Sequence, residues 1–364
     1  DSGHTPTCTG NGKAGGSGVV IVRNTTNDVL FTTSSACAPV TSSDGVNQIA
    51  TFKTSANLTI SDSGGTVEFD YLVVAGGGAG GQQRGGGGGA GGYRTSFPGG
   101  TKVKLQSGPN AVTIGAGGTA TGSSPPTRSC GTPGGDSRIG YITATGGGKG
   151  GYQDNHPGET GGSGGGAEGR FATSGSAGNA PALSSPGAPV QGFPGGNASG
   201  TQNSPDGYAA AGGGGAGEAG KANPSGSQAG AGGAGLANSI TGSPVTYAGG
   251  GGGGAGSQSN TQGTGGAGGA GGGGEGGDGP SMNGVAGTVN TGGGGGGGGT
   301  SPSAPTSTGI GAAGGSGIVI LRIPAGNAPP SLAAAPGTNT ITTLPAPAGG
   351  CKVATFTVSG TLTV

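Results

Sequence analysis

The large apolar residues are gathered at the two ends of the chain. Residues 19–74 hold 18 of the 48 Val, Ile, Leu and Phe residues and 310–364 hold 14, while 143–309 hold 9. In the first region Val19–Val22, Val29–Phe31, Ile49–Phe52, Leu58–Ile60 and Val67–Val74 are short runs rich in β-branched residues. Thr, Ser, Asn, Asp and Gly separate them, which predicts short strands joined by turns. Val67, Phe69, Tyr71 and Val73 alternate with Glu68 and Asp70, the period of a strand with one buried face. Further strands are predicted near 101–105, 111–114 and 139–144, and nothing has the periodicity of a long amphipathic α-helix.

The ends also match each other. Gly15–Arg23 (GGSGVVIVR) repeats as Gly314–Arg322 (GGSGIVILR), and Ile49–Ile60 (IATFKTSANLTI) repeats as Val353–Val364 (VATFTVSGTLTV), six of twelve residues being identical. Two matches in the same order predict that 314–364 duplicates 15–60. The organisation expected is an N-terminal strand block over 1–74, a glycine-rich middle over 75–313 with strands near 101–144, and a C-terminal strand block over 314–364. Both ends are expected to form one short-strand β module.

Composition explains what the middle cannot be. Of 364 residues, 103 are Gly and 24 Pro, so a conventional apolar core is excluded there. Runs such as Gly85–Gly89, Gly249–Gly254 and Gly292–Gly299 have no side chains to bury, yet each residue carries an N–H and a C=O that need partners. An extended helix with three residues per turn has no internal hydrogen bonds and can direct its amides into neighbours on several sides. The fold class expected is therefore all-β plus a polyglycine II, or polyproline II-like, helix bundle without long α-helices.

Charge adds exclusions. Fourteen basic and fourteen acidic residues cancel, and only 8% of positions are charged, so no basic stripe for nucleic acid and no polybasic membrane anchor is present. No run approaches the ~20 apolar residues of a membrane span. Cys8, Cys37, Cys130 and Cys351 are an even set without a C-x-x-C, which suits disulfides of undetermined pairing in an extracellular chain. The chain starts at Asp1, as a processed product or a fragment would. Asn24, Asn57 and Asn197 begin acceptor sequons for glycosylation.

Taken in order, Phe69–Gly78 (FDYLVVAGGG), Gly85–Gly92 followed by Tyr93-Arg94, Val112–Gly118 (VTIGAGG), and Gly292–Gly299 leading to Gly314–Arg322 resemble the glycine-rich domain of phage tail-fibre and adhesin proteins and related bacterial surface proteins. The resemblance covers roughly 66–323. It implies a polyglycine II bundle whose end loops contact receptors.

Apparent chemical motifs carry little. G-x-G-x-x-G follows from the glycine content, and Gly12-Lys13 and Gly148-Lys149 lack the Ser or Thr of a phosphate loop. Gly273–Asp278 (GGEGGD) fits the start of a calcium nonapeptide, but Pro280 breaks it. Asp154, His156 and Glu159 read as a polar turn. No catalytic centre, cofactor or metal is expected. Tyr152, His156, Phe171, Phe193 and Tyr208 lie between glycine runs, as Tyr247 does, and are candidates for receptor loops or for plugging gaps.

The function expected is a structural subunit of an extracellular filament or fibre, on a cell surface or a virion. It would assemble head to tail with itself through strands carrying Val19, Val20, Ile21, Val22, Val353, Phe356, Val358, Leu362 and Val364. In that reading the last strands, 352–358 and 360–364, lack a neighbour and take one from the next subunit. The alternative is a phage or bacterial adhesin binding a cell-surface glycan or protein through the loops.

Overall fold

The computed structural model describes residues 18–24, 29–33, 40–43, 48–52, 58–62, 65–120, 131–152, 156–171, 174–180, 190–199, 208–256, 263–279, 281–301, 309–345 and 350–364. Two compact units divide at Gly65 and Thr66.

The first unit holds β1 (Val20–Asn24), β2 (Val29–Thr33), β3 (Val40–Ser43), β4 (Gln48–Phe52) and β5 (Leu58–Asp62). They pair antiparallel as a three-stranded sheet in the order β1-β4-β3 and a two-stranded sheet of β2 and β5. Ala50 and Phe52 on β4 are buried.

The second unit begins with β6 (Val67–Val74), β7 (Tyr93–Thr95), β8 (Val103–Leu105), β9 (Pro109–Thr113), β10 (Ser137–Ile139) and β11 (Ile142–Ala144). A hairpin of β12 (Leu236–Asn238) and β13 (Val245–Tyr247) follows. The unit ends with β14 (Ile318–Pro324), β15 (Ala333–Ala335), β16 (Thr340–Thr343), β17 (Cys351–Phe356) and β18 (Gly360–Thr363). Among the described residues there is no α-helix, only a turn of 3₁₀-helix at Ala325–Asn327. One antiparallel sheet runs β16-β17-β14-β6-β7, with β8 also beside β6, and another runs β11-β10-β9-β18-β15.

Alternation decides which faces meet. Phe69, Tyr71 and Val73 of β6, Val319, Leu321 and Ile323 of β14, and Ala354 and Phe356 of β17 form one buried cluster with Val112, Ile139, Ile142 and Leu362 of the second sheet. The intervening positions Leu72, Val74, Ile318, Ile320 and Val353 face the other way, where Ala90, Tyr93, Ile240 and Tyr247 cover them. Central strands are thus buried on both faces, and their runs are correspondingly near-continuously apolar.

The duplication is structural as well as sequential. Val20 pairs with Phe52 as Val319 pairs with Phe356, and Val22 with Ala50 as Leu321 with Ala354. The order β1-β4-β3 repeats as β14-β17-β16, and the pair β2-β5 repeats as β15-β18.

Two sequence expectations are corrected here. Residues 67–74 are not the close of the first block: β6 pairs with β14 over Val74↔Ile318 to Asp70↔Arg322. Among the described residues the strands of 18–62 pair with one another and those of 318–363 pair within the second unit. The final strands do not lack neighbours either. β17 lies between β14 and β16, and β18 between β9 and β15, because β6 and β9 complete the second copy within its own chain.

The glycine segments are held by peptide groups in a period of three. Gly85, Gly88 and Gly91 donate to the carbonyls of Gly298, Gly295 and Gly292; Gly86, Gly89 and Gly92 to Gly151, Gly148 and Thr145; Gly87 and Ala90 to Ala211 and Gly214. Its carbonyls accept from three further segments: Gly85 and Gly88 from Gly254 and Gly251, Gly86, Gly89 and Gly92 from Gly81, Gly78 and Ala75, and Gly87 and Ala90 from Gly166 and Ser163. Segment 85–92 thus has six hydrogen-bonded neighbours, where a sheet strand has two. The chains pack so closely that a Cβ at Gly87 or Gly88 would sit inside the carbonyl of Gly251 or Gly78.

Candidate functional site

Runs 75–81 and 85–92 are joined by the turn Gln82–Arg84, where Gln83 and Arg84 take φ of 45° and 60°. Segment 145–151 runs antiparallel to 85–92, so Tyr152 emerges at the same end as that turn, and the pairing of Gly166 with Gly87 brings 168–171 there too. Gly169 donates to the Arg84 carbonyl at 3.0 Å.

Arg84, Glu168 and Arg170, three of the 14 basic and 14 acidic residues of the chain, meet at this end. The Arg84 guanidinium lies 4.8 Å from the centre of the Tyr208 ring; that of Arg170 lies 4.6 Å from Phe171 and 5.9 Å from Tyr208. Glu168 is fully buried, and its carboxylate accepts the backbone N–H of Arg170 at 2.8 Å and that of Phe171. Burial, and then the neighbouring positive charge of Arg170, lower the Arg84 pKa below its usual value. Facing guanidiniums over an aromatic ring, with one buried carboxylate, can receive an anionic or planar group.

Next to this cluster Tyr152 and His156 exchange backbone hydrogen bonds of 3.0 and 3.3 Å and stack their rings at 4.3 Å, closing a tight turn. Lys149 pairs with Glu159 at 2.8 Å. The polar-turn reading of this stretch fits that geometry, while Asp154 lies outside the described residues. Asp278 spends its carboxylate on the N–H and hydroxyl of Ser281, at 3.0 and 2.9 Å, in a local turn. Among the described residues no group of three potential ligands is close enough to hold a metal.

Of the aromatic loop candidates, the structure gathers Tyr152, His156, Phe171 and Tyr208 at one end. Tyr208 is buried beneath the arginines rather than presented to solvent. Phe193 stands apart: it donates to Gly215 and accepts from Gly164, partway along the glycine segments, with an exposed ring. Arg84, Glu168 and Arg170 were missed in the sequence. The available signal was a cluster of charges at the ends of glycine runs in a chain where 8% of residues are charged.

The assembly candidates divide sharply. Val353, Phe356, Leu362 and Val364 are buried in their own unit, and Val358 is exposed in the turn between β17 and β18. Val19, Val20 and Ile21 are 57%, 61% and 62% exposed, and Val22 is half-buried. Among the cysteines Cys351 is buried on β17, while Cys8, Cys37 and Cys130 lie outside the described residues. Asn197 is exposed and its amide oxygen accepts from Gly175 at 2.9 Å; Asn24 ends β1, and Asn57 is outside the described residues. No described helix is long and apolar enough to cross a membrane.

No curated protein and no solved structure matches the chain. The glycine-rich domain family matches residues 53–324, which is well over half the chain. On that match the chain belongs to the glycine-rich domain family.

Proposed function

We propose that this chain is a non-catalytic structural subunit of an extracellular filament or fibre. Its glycine segments form a polyglycine II bundle that acts as a stiff rod, and the strand blocks at its ends join one subunit to the next. The observation that carries the reading is the six-neighbour, period-of-three hydrogen bonding of segment 85–92. A lattice stitched by peptide groups in all lateral directions resists bending without a large apolar core. The duplicated strand block supports the joining role, because one copy is completed within the chain and the other, among the described residues, is not.

Electron micrographs of the native material test it. Unbranched filaments with one repeated subunit are expected; a dispersed monomer, or a tip on a fibre of another protein, would refute it.

A second reading is favoured by the Arg84–Arg170–Tyr208 cluster: an adhesin of phage or bacterial type that holds a cell-surface glycan or protein at the loop end. Binding to a cell surface or glycan array that disappears in Arg84→Ala and Arg170→Ala, with unchanged melting, is the expected result of that reading.

A further inference from the structure

The two strand blocks share a fold but differ in what surrounds them. In the second copy, β14 has β17 on one side and β6 on the other, and β18 has β15 on one side and β9 on the other. In the first copy, β1 and β5 have only β4 and β2 beside them among the described residues, so no described strand takes the positions equivalent to β6 and β9. Exposure agrees with the topology. Ile318, Val319 and Ile320 are 6%, 0% and 0% exposed, whereas their counterparts Val19, Val20 and Ile21 are 57%, 61% and 62% exposed. Successive strand residues point to opposite faces, so β1 is exposed on both faces at Val20 and Ile21.

The sequence before β1 carries the same message. Gly10-Asn11-Gly12-Lys13-Ala14-Gly15-Gly16-Ser17-Gly18 repeats the pattern of Gly309-Ile310-Gly311-Ala312-Ala313-Gly314-Gly315-Ser316-Gly317. In the second copy this lead-in is threaded into the glycine lattice, where Ala312 and Gly315 accept from Gly80 and Gly77 and Gly314 donates to Gly118. A block made only to fold by itself has no use for such a lead-in.

The geometry points to the first block as the closing piece of a second glycine-rich body of the 66–313 kind, one without a closing block of its own. That body's leading strand, of the Val67–Val74 type, would lie along β1. Transferring the β14–β6 register gives Val19 opposite its Val74, Ile21 opposite its Leu72, and Arg23 opposite its Asp70, which sets opposite charges across the pair. An intact second copy does not fit the role, because its β6 is already flanked by β14 on one side and by β7 and β8 on the other. The inference goes beyond the filament of one repeated subunit, because the partner it names is not an intact copy of this chain, and it makes the first block, rather than the last strands, the acceptor.

The test is hydrogen exchange read by mass spectrometry on the full chain, with a synthetic peptide of residues 66–78 (TVEFDYLVVAGGG) as probe. Saturating peptide is expected to slow exchange of 18–24 by roughly tenfold and to leave 318–324 unchanged. A peptide carrying Leu72→Pro, which breaks strand pairing without touching the protein, is expected to have no effect. Unchanged exchange at 18–24, or slowing confined to 318–324, would overturn the inference. Slowing of 18–24 by raising the concentration of the intact chain alone would overturn the exclusion of a second copy. Peptide binding in material that forms no filaments would leave this inference standing and the filament reading refuted, and filaments without peptide binding would do the reverse.

Discussion

Replacing Gly88 by Ala adds one methyl group and should break a local part of the lattice. Gly88 donates to Gly295 at 2.8 Å and accepts from Gly251 at 2.9 Å, and its added Cβ would fall inside the carbonyl of Gly78, which itself accepts from Gly295 at 2.9 Å. The obstacle is backbone on a neighbouring segment, so no side-chain rotation relieves it. Restoring van der Waals contact moves the segments apart by more than the tolerance of a hydrogen bond. Three backbone bonds at about 1 to 1.5 kcal/mol each give a loss of about 3 to 4.5 kcal/mol. Ala restricts the unfolded chain and returns about 0.5 to 1 kcal/mol, leaving a net destabilisation of about 2 to 4 kcal/mol.

The matched control is Gly337→Ala. A Cβ there meets nothing within 4 Å, and the residue does not take a positive φ. It is expected to be neutral or to stabilise by up to about 1 kcal/mol. Chemical denaturation followed by circular dichroism measures both, the chain having no Trp for fluorescence. If Gly88→Ala lay within about 0.5 kcal/mol of Gly337→Ala, close backbone approach would not be the reason for glycine at that position.

Phe356→Ala empties a fully buried site in the sandwich and should cost about 3 to 5 kcal/mol by calorimetry, whereas Phe193→Ala removes an exposed ring and should cost far less. Asn238→Ala removes a buried amide that donates to the Tyr93 hydroxyl at 2.9 Å and accepts from the Ile240 N–H at 2.8 Å, for an expected loss of about 2 to 4 kcal/mol in the same assay. Burial raises the phenol pKa values of Tyr71, Tyr93 and Tyr247 above the ordinary 10.0. Their neutral forms therefore contribute stability that is complete below pH 10.0 and is lost as pH rises through the higher folded values, so phenolate absorbance should appear late and together with unfolding. Phenolate formation at the ordinary pKa without unfolding would refute this.

The strands richest in Val, Ile and Phe were legible because their signal is local: β1, β2, β4, β5 and β6 all fall on runs predicted from β-branched content. Those missed are held by tertiary context. β15 is three alanines, a composition with no strand preference, and it exists because Ala333–Ala335 pairs with Thr363–Thr361. β3 and β16 are mostly Thr and Ser, and the duplication, followed into its middle, was the one signal that could have found them. Periodicity cannot say which copy of a repeat owns a neighbouring strand. Both blocks could claim 67–74 by sequence proximity or by repeat logic, and the lattice decides, because β6 leads directly into Ala75–Gly81 and β14 emerges directly from Gly314–Gly317. At the loop end the aromatic residues were visible as isolated rings, but Arg84 and Arg170 meet over Tyr208 only because segments distant in sequence end at the same level.

A lattice of glycines and a closing block of apolar strands need each other for a thermodynamic reason. Ordering a residue costs about 1 to 2 kcal/mol of backbone entropy, most for glycine, and a net hydrogen bond returns about 1 kcal/mol. Segments such as 85–92 therefore gain little by ordering one at a time, and they carry almost no apolar area with which to make up the difference. The apolar area is concentrated in β6 and β14, which open and close the glycine region in sequence and lie side by side in one sheet. Their pairing clamps the first and last segments of the region into register, which shortens every loop the intervening segments must close. A body deprived of its block would lose that clamp, and a block deprived of its body would leave an apolar strand in water, as Val19, Val20 and Ile21 are left here. An exposed strand edge of this kind invites pairing with any extended chain. The exchange protection of the first block should accordingly fall well below that of 318–356 until a body is supplied.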